Sequence, residues 1–519
     1  MDLSPHVAQS VRRATAAPPL EPQVCEIPIK KYTMEPFAMM ILGGAGDLSQ
    51  NMLMPALFHL YLDGELPKDF FIAGAGLPAY TDEKYRNFMS AALRHNEGKI
   101  DDRKLLEFLE RVYYISGDFA NNDTYERLRT LAVELGKKCG NNIIYYLAVA
   151  PSFTEGIVRK LNEFNLCRGA FRTKLILEKP FGRDRASAIE LNNVLLEAFD
   201  ESQIYRIDHY LGKETVQNIT FFRFSNTIFE ELWNQHHIDS VQITVAESEG
   251  IRHRAEFYEE TGVVRDIVQN HMLQLISLIA MEPPSSFDAE SIRDEKVKVY
   301  RSMVPFDAAR VDRDCVRGQY GPGRLDGKDI KGYRQMPGVA PDSSTPTFFA
   351  AKFLIANWRW AGVPFYVRTG KRMARRITEI VIQFRQPPLK LFEVNCNPLE
   401  PNLLVLRIQP EEDIFLRFGV KYPFSTNQIH PVKLEFSPQK TFQAREHPVY
   451  EKLLVDCMQG DPTLFVRQDS VLAMWEAVDP IISRWEESKP AFPDYDPGTW
   501  GPAAAEELLV RDGRRWLTV

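Results

Sequence analysis

Apolar and polar positions change their spacing near residue 214, and the change separates two regions of the chain. In the first region, short apolar runs alternate with amphipathic segments of helical period. This pattern predicts buried strands over 37–42, 70–73, 143–150 and 174–177, and helices over 48–62, 82–95, 101–112, 153–164 and 184–199. Alternation of strand and helix is typical of a doubly wound parallel sheet.

In the second region the spacing becomes that of antiparallel strands. Val241 to Ala246 alternates apolar and polar residues, as in a half-exposed strand. The pattern predicts further strands over 296–301, 347–356, 363–369, 377–385, 403–408, 413–418 and 431–437, with loops over 317–346 and 386–402. One long helix is predicted over 263–281.

The expected fold class is therefore α/β followed by α+β. We expect a Rossmann-like doubly wound domain over 29–208 and a domain with a large, mainly antiparallel sheet over 209–519. Residues 1–28 mix Ser, Pro, Ala and Arg without an apolar core, and they are expected to form a disordered tail.

Composition narrows the class of protein without naming a function. Hydrophobic residues at 44% and charged residues at 26% are typical of a soluble globular protein. The net charge of −7 argues against nucleic acid as a partner. No apolar run approaches the ~20 residues of a membrane span. The six cysteines include no CxxC pair, which disfavours a metal site and fits a reducing compartment, so we expect a cytoplasmic protein.

A glycine-rich turn follows the first predicted strand. It reads Gly43-Gly44-Ala45-Gly46-Asp47, and helical spacing begins at Leu48. Glycines let the backbone approach a pyrophosphate, and the helix N-terminus offers free N–H groups to it. The spacing differs from GxGxxG, so a plain strand–helix turn is the alternative.

The end of the second strand usually decides between NAD and NADP. An acid there binds the ribose 2′-hydroxyl, whereas an arginine binds a 2′-phosphate. Here the turn over 74–78 offers neither residue type. The residues at this turn do not decide between NAD and NADP.

Two polar stretches are candidates for binding an anion. In the segment Arg206–Glu214, His209, Tyr210 and Lys213 are donors suited to a phosphate, and Asp208 is suited to orient a histidine. Lys179 follows a predicted strand, where ligands bind in open α/β sheets. The alternatives are a solvated turn and a surface cation.

The long helix over 263–281 carries Asp266 and His271 among apolar residues. A single histidine on such a helix is more often a core or surface residue than a catalyst. The two side chains are five positions apart, so on an α-helix they point roughly 140° from each other. A direct pair on one face is not expected, although both side chains can still line a pocket that wraps the helix.

Several motifs in one order resemble the glucose-6-phosphate dehydrogenase family. They span about residue 37 to the C-terminus, and RIDHYLGKE is the most specific of them. The matching stretches are Gly43–Leu48, Glu178–Gly182, Arg206–Glu214, Arg265–Asp266, Gln269–His271, Arg293–Lys298 and Arg368–Arg372.

The resemblance implies oxidation of glucose 6-phosphate at C1 to the 6-phospho-lactone, the first step of the oxidative pentose phosphate pathway. It implies that His271 is the general base and that Asp208 pairs with it. By the same resemblance, the phosphate is held by His209, Tyr210 and Lys213, and the sugar is contacted by Lys179, Glu247, Asp266, Lys371 and Arg376. The dinucleotide would lie against Gly43, Gly46, Asp47, Leu48 and Lys179. A homodimer or a dimer of dimers, formed through the second domain, is also implied.

The chain departs from the family where the coenzyme is chosen. NADP is the family expectation, yet Ala45 stands in place of the usual Thr or Ser, and Leu77 in place of an Arg. The usual basic run is replaced by Gln50-Asn51-Met52. We therefore hypothesise weakened discrimination against NAD, with Lys84 or Arg86 as possible substitutes for the missing cations. Ala150 also replaces a proline in the stretch after the strand that ends near Val149.

Two alternatives to this function stay open. One is a related hexose-phosphate dehydrogenase with shifted specificity. The other is a catalytically silent homologue that acts as a binding or regulatory protein. Retention of both His271 and Asp208 argues against the silent homologue, because loss of the base or its partner would be its mark.

Overall fold

The computed structural model of the chain describes residues 33–251, 254–325, 327–389, 400–425, 428–442 and 448–518. The predicted tail over 1–28 lies outside the described residues, as does much of the predicted loop over 386–402. Tyr32–Val519 is one unit by its internal contacts.

The apolar runs of the first region form a parallel sheet of six strands. The order is β3-β2-β1-β4-β5-β6, and every neighbouring pair is parallel. The strands are β1 (Phe37–Leu42), β2 (Phe70–Gly76), β3 (Val112–Ser116), β4 (Asn142–Leu147), β5 (Arg172–Leu177) and β6 (Ile204–Arg206). Helices cover both faces of such a sheet, which explains the continuous apolar runs of its strands. The predicted doubly wound domain is confirmed.

Six α-helices belong to this sheet. They are α1 (Met54–Leu62), α2 (Asp82–Glu97), α3 (Asp102–Leu109), α4 (Asn122–Gly136), α5 (Thr154–Glu163) and α6 (Arg185–Ala198), with a π-helical turn, Ser49–Leu53, before α1. The helix predicted over 101–112 is too long, because Val112 already begins β3. The sequence of β3, Val-Tyr-Tyr-Ile-Ser, is rich in β-branched and aromatic residues that favour strands.

The second region contains a sheet of eight strands in the order β16-β15-β14-β13-β7-β12-β11-β8. The pair β7–β12 is parallel, and the other neighbours are antiparallel. The strands are β7 (Ile238–Ala246), β8 (Cys315–Gly318), β11 (Phe348–Leu354), β12 (Pro364–Gly370), β13 (Ile377–Phe384), β14 (Leu403–Gln409), β15 (Asp413–Lys421) and β16 (Ile429–Phe436); β9 (Gly323–Leu325) and β10 (Lys328–Ile330) form a separate hairpin. The predicted mainly antiparallel sheet is confirmed.

Strand β7 is antiparallel to β13, as predicted, but it is not half-exposed. It is almost entirely buried and lies parallel to β12. Its polar positions are buried because other parts of the chain bond them: Gln242 bonds the backbone of Arg515 and Leu517, and Thr244 accepts from Arg368. The C-terminal segment thus covers a face that the alternating pattern assigned to solvent.

The remaining helices pack around this sheet and against the first region. They are α7 (Glu214–Phe224), α8 (Thr227–Glu230), α9 (Ala255–Val263), α10 (Leu273–Ala280), α11 (Ala289–Arg301), α12 (Ala308–Asp314), α13 (Pro438–Phe442), α14 (Val449–Gln459), α15 (Gln468–Glu486) and α16 (Ala503–Val510). None of the helices in the described ranges has both the length and the apolar character needed to cross a bilayer.

The strand predicted over 296–301 is wrong, because these residues end helix α11. Val297 and Val299 alternate with Lys296 and Lys298, and so imitate the alternation of a strand. In the structure, however, Ile292, Lys296 and Val299 lie buried at helical spacing.

The predicted helix over 263–281 is helical but is not one continuous α-helix. Helix α9 ends at a kink where Gly262 has a φ of 59°, a value that favours glycine. A π-helical segment, Val264–Met272, follows and continues into α10.

Candidate active site

Two parallel strands of the first sheet deliver polar residues to one edge. β5 runs into Lys179 and β6 into Asp208. Because parallel strands end at the same edge, both residues lie where open α/β sheets bind ligands. The glycine turn after β1 lies at this edge too, about 10 Å away, since β4 separates β1 from β5.

A second parallel pair, β7 and β12, delivers the opposite wall of the site. Glu247 follows β7 and Lys371 follows β12, and the Lys371 ammonium bonds the Glu247 carboxylate. Lys371 Nζ also lies 3.7 Å from Asp266 Oδ2. The single parallel pair in an otherwise antiparallel sheet thus places a lysine beside two acids.

The π-helical segment changes how Asp266 and His271 are related. A π-helix bonds residue i to residue i+5, so side chains five positions apart lie above one another. The angle of roughly 140° expected between them holds for an α-helix, whereas this segment is π-helical. The expected absence of a direct pair is consistent with their partners, which are Lys179 for Asp266 and Asp208 for His271. Both side chains face the same site. There Lys179 Nζ bonds Asp266, and the charge of Lys179 lowers the pKa of His271.

His271 and Asp208 form a buried hydrogen-bonded pair. The distance between His271 Nδ1 and Asp208 Oδ1 is 2.5 Å, and each side chain is about 1–2% exposed. The backbone N–H of Tyr210 donates to the same oxygen at 3.0 Å. His271 Nε2 has no hydrogen-bond partner among the described residues. The pair therefore holds one ring nitrogen and leaves the other for a ligand.

Burial and charge set the ionisation of this pair. Burial raises the pKa of Asp208, but the charge of His271 and its hydrogen bond outweigh that effect and lower the pKa below its usual range. Burial lowers the pKa of His271, and Asp208 opposes the shift without cancelling it. We conclude that Asp208 is ionised and His271 neutral near neutral pH, with Nδ1–H donating to the carboxylate.

Lys179 anchors the first wall of the site to the π-helical segment. Its Nζ donates to the backbone oxygen of Asp266 at 2.6 Å and to the carboxylate at 3.1 Å. Although burial raises the pKa of Asp266, Lys179 and Lys371 lower it below its usual range. Asp266 is thus a buried carboxylate held ionised by two cations.

His209, Tyr210 and Lys213 lie together in the turn before α7, with exposed Arg376 nearby. We call these four residues the cation cradle. Lys213 precedes α7 as its N-cap residue. Burial, the largest cause, and the neighbouring charge of Arg376 lower the pKa of Lys213 to about 8 against the opposing charges of Glu412 and Asp208. Burial lowers the pKa of His209 well below its usual range, so the cations of the cradle are Lys213 and Arg376, and these two favour an anionic ligand.

Asp208, His209 and His271 also form a group whose potential metal-ligand atoms lie within 4.8 Å of one another. Asp208 Oδ1 already accepts from His271 and from the N–H of Tyr210. These hydrogen bonds fit a histidine base that is oriented by a carboxylate better than they fit a metal-ion site. The group belongs to the site already described.

The glycine turn has the close backbone packing that its sequence predicts. Gly43 has a φ of 93°, and a Cβ there would lie 2.2 Å from the carbonyl oxygen of Ala148. Gly46, Asp47 and Leu48 complete the turn into the helical segment that continues as α1. The first turn of a helix has N–H groups without helical acceptors, which suits a pyrophosphate.

The side chains around this turn bear on the choice of coenzyme. Gln50 donates to the carbonyl of Ala45 at 2.9 Å, so it closes the turn instead of reaching outward. Leu77 is 72% exposed at the end of β2. Arg86 donates to the carbonyl of Val112 at 2.8 Å, at the start of β3 and hence at the opposite edge of the sheet. Arg86 therefore does not replace the missing cation, and Lys84, exposed in the first turn of α2, stays a candidate.

Two side chains that the sequence did not single out lie against the site. Glu178 accepts from Tyr146 at 2.5 Å and from Tyr450 at 3.2 Å, and burial raises its pKa. The ring of Tyr258 lies 5.5 Å from Lys371 Nζ. The position of Glu178 directly before Lys179 was a signal for the first, whereas nothing in the sequence pattern distinguished Tyr258.

The fold and this site define a class of protein: a dehydrogenase that uses a nicotinamide dinucleotide. Two family models cover nearly all of the described chain. "Glucose-6-phosphate dehydrogenase, NAD binding domain" matches residues 40–218, and "Glucose-6-phosphate dehydrogenase, C-terminal domain" matches residues 220–517. The chain belongs to the glucose-6-phosphate dehydrogenase family.

Relatives and solved structures agree with this membership. The chain is 43% identical to glucose-6-phosphate 1-dehydrogenase of Rhizobium meliloti (strain 1021), covering 93% of this chain and 98% of the relative. It is 42% identical to that of Bacillus subtilis (strain 168), covering 94% and 100%. A solved glucose-6-phosphate dehydrogenase in complex with its substrate glucose-6-phosphate superposes with a TM-score of 0.86 at 35% identity, covering 94% of this chain and all of the other. The enzyme from Mycobacterium avium gives 0.81 at 35% identity, covering 94% and 99%.

Proposed function

We propose that this protein oxidises the C1 hydroxyl of glucose 6-phosphate to 6-phosphoglucono-1,5-lactone, with hydride transfer to a nicotinamide dinucleotide. The observation that carries the proposal is the buried His271–Asp208 pair, whose Nε2 makes no hydrogen bond among the described residues. The pair lies beside a cation cradle and at the sheet edge where dinucleotides bind. Family membership supports the same reaction.

His271 acts as the general base in this reaction. Its neutral Nε2 takes the proton of the C1 hydroxyl as C1 loses its hydride, and the C–O bond becomes a carbonyl. Asp208 holds the ring by Nδ1–H and stabilises the imidazolium that forms. The bound dinucleotide supplies the hydride acceptor.

The cation cradle holds the phosphate of the substrate. Lys213, His209 and the hydroxyl of Tyr210 are donors, and Arg376 adds positive charge at the exposed rim. A phosphate carries nearly two negative charges at neutral pH. A free hexose would leave these donors unmatched, which disfavours an unphosphorylated substrate.

The sugar ring lies between the two walls of the site. Lys371, Glu247 and Asp266 form one charged cluster, and Lys179 joins that cluster to the coenzyme edge of the sheet. Charged groups that already pair with one another are rigid, so they orient hydroxyl groups without rearranging. We assign these four residues to substrate binding, and Lys179 also to the side of the coenzyme.

The coenzyme lies along the glycine turn at Gly43, Gly46, Asp47 and Leu48. The close packing at Gly43 and the helix start after Asp47 fit a pyrophosphate. We propose that discrimination for NADP over NAD is weak, because Leu77 and Ala45 offer no cation or hydroxyl and Gln50 is bonded to the turn. A preference for NADP above roughly a hundredfold, about 2.7 kcal/mol, would contradict this.

We also propose that the large sheet forms a homodimer. Apolar side chains are exposed along the hairpin of β15 and β16, and a groove of about 1030 Å³ lies beside them; the exposed residues are Val420, Tyr422, Phe424, Ile429 and Leu434. Clustered apolar side chains that are exposed to solvent favour an interaction site. Light scattering of the wild type and of Leu434→Asp tests it: a monomeric wild type would contradict the proposal.

Two further assignments complete the proposal. We place the boundary between the two domains near residue 209, within the one compact unit Tyr32–Val519, since β6 ends the first sheet at Arg206 and β7 begins the second at Ile238. The described cysteines, Cys139, Cys167, Cys315 and Cys457, are buried and free, which supports a reducing, cytoplasmic location.

The reaction is tested by the absorbance of reduced coenzyme at 340 nm. Glucose 6-phosphate with NAD or NADP should give turnover, whereas glucose should give little. Fructose 6-phosphate and mannose 6-phosphate serve as matched phosphorylated controls. Faster turnover of another hexose phosphate would favour the related dehydrogenase. No turnover with any of these substrates would favour the silent homologue.

A further inference from the structure

The ring of Tyr210 stacks on the ring of His271. The two centroids are 4.2 Å apart and the planes differ by 19°. Tyr210 is buried, 6% exposed, and its hydroxyl makes a long contact of 3.4 Å with Thr378. Stacked rings restrict each other's orientation more than side chains of irregular shape do.

Tyr210 also contacts the partner of the base. Its backbone N–H donates to Asp208 Oδ1 at 3.0 Å, the same oxygen that His271 Nδ1 bonds. The Nζ of Lys213 lies 4.5 Å from the centroid of the Tyr210 ring. One residue therefore touches the base, the carboxylate that orients it and a cation of the cradle.

We propose that the ring of Tyr210 is a positioning element for His271, separate from any contact of its hydroxyl with phosphate. The ring fixes the plane of the imidazole so that Nε2 points at the substrate, and it shields the imidazole from water. This inference rests on the proposed function. It assigns to Tyr210 a second role that acts through the base.

Two substitutions separate the two roles. Tyr210→Phe keeps the ring and removes the hydroxyl, so it should raise KM for glucose 6-phosphate with little loss of kcat. Tyr210→Leu removes the ring, so it should lower kcat as well, on the order of 10²-fold, because small misplacements of a catalytic group are costly. Tyr210→Met carries the same comparison if the leucine variant is unstable.

The pH profile of kcat/KM gives a readout that a purely structural role would not move. Burial is the largest cause of the lowered pKa of His271, and the charged groups that act on it are Asp208, Lys179 and Asp266. The titratable ring of His209 also lies 4.5 Å from the His271 ring. All four groups stay in both variants. Loss of the ring admits water, so the acid limb should move to higher pH by roughly one unit in the leucine variant. It should not move in the phenylalanine variant.

Several outcomes would overturn the inference. One is a leucine or methionine variant that matches the phenylalanine variant in kcat and in the acid limb. Another is a phenylalanine variant that loses kcat as fully as the leucine variant does. Failure of the proposed function is distinguishable, because the wild type would then give no turnover with glucose 6-phosphate.

Discussion

The substrate side and the coenzyme side of this site are built differently. On the substrate side, His271, Asp208, Asp266 and Lys371 are each at most 7% exposed and are bonded to one another or to their neighbours. On the coenzyme side, where the ribose would lie, Leu77 is 72% exposed. One side is a closed charge network, and the other presents a side chain to solvent.

The difference teaches where specificity is constrained and where it can change. A buried charge that loses its partner is costly, so each member of the substrate network depends on the others. An exposed side chain beside a ribose has no such dependence. We therefore expect substitutions on the substrate side to abolish activity, and substitutions on the coenzyme side to redirect it.

The largest effect should come from removing the base. His271→Asn keeps a polar side chain but removes the group that accepts the proton. We expect kcat to fall by roughly 10²–10⁴-fold, the usual contribution of general base catalysis. Turnover at 340 nm under saturating substrate measures it.

The matched control for His271→Asn is the same substitution at an exposed histidine. His95 lies exposed on α2, so His95→Asn should retain wild-type kcat. Asp208→Asn should also lose activity, because the neutral amide no longer stabilises the imidazolium. A His271→Asn enzyme with most of the wild-type rate would show that another group takes the proton.

The next effect concerns the phosphate. Lys213→Gln removes a charge-assisted hydrogen bond, so kcat/KM for glucose 6-phosphate should fall roughly 10- to 100-fold. Lys489→Gln changes a lysine side chain that is 89% exposed and should leave kcat/KM unchanged. If both variants behave alike, Lys213 does not hold the phosphate.

On the coenzyme side we expect a substitution to increase the preference for NADP instead of reducing activity. Leu77→Arg places a cation at the end of β2, where it can meet a 2′-phosphate. The ratio of kcat/KM for NADP to that for NAD should rise about tenfold, or about 1.4 kcal/mol. The control Leu106→Arg, on α3 at a position 64% exposed, should not change the ratio. An unchanged ratio in Leu77→Arg would mean that this turn does not face the ribose.

The smallest effect is a pH dependence confined to the substrate side. Lys213 has a pKa of about 8, so it is charged below that pH and loses its charge as the pH rises through it. The alkaline limb of kcat/KM should therefore lie near pH 8. Lys213→Arg should move this limb upward by at least one unit, because arginine stays charged. A limb at the same pH in both enzymes would assign it to another group.

Much of the fold and the members of the candidate site could be predicted from the sequence. Strands buried on both faces, such as β1, appear as continuous apolar runs and can be predicted directly. Strand β3 cannot be distinguished in the sequence, because its five residues follow a helix without a clear break. The end of α11 imitates a strand because Val297 and Val299 alternate with polar residues, while its burial follows the helix period.

By itself, the sequence determined most of the elements around the first sheet, the motifs and the departure from the family at Ala45 and Leu77. These depend on local patterns, which sequence spacing records directly. Only the tertiary structure decided that Asp266 and His271 face one site, because a π-helical turn cannot be recognised from spacing alone. It also decided that Arg86 lies at the wrong edge of the sheet and that Tyr210 stacks on the base. Arg86 and its partner Val112, like Tyr210 and His271, are far apart in the chain, so it is packing that brings each pair together.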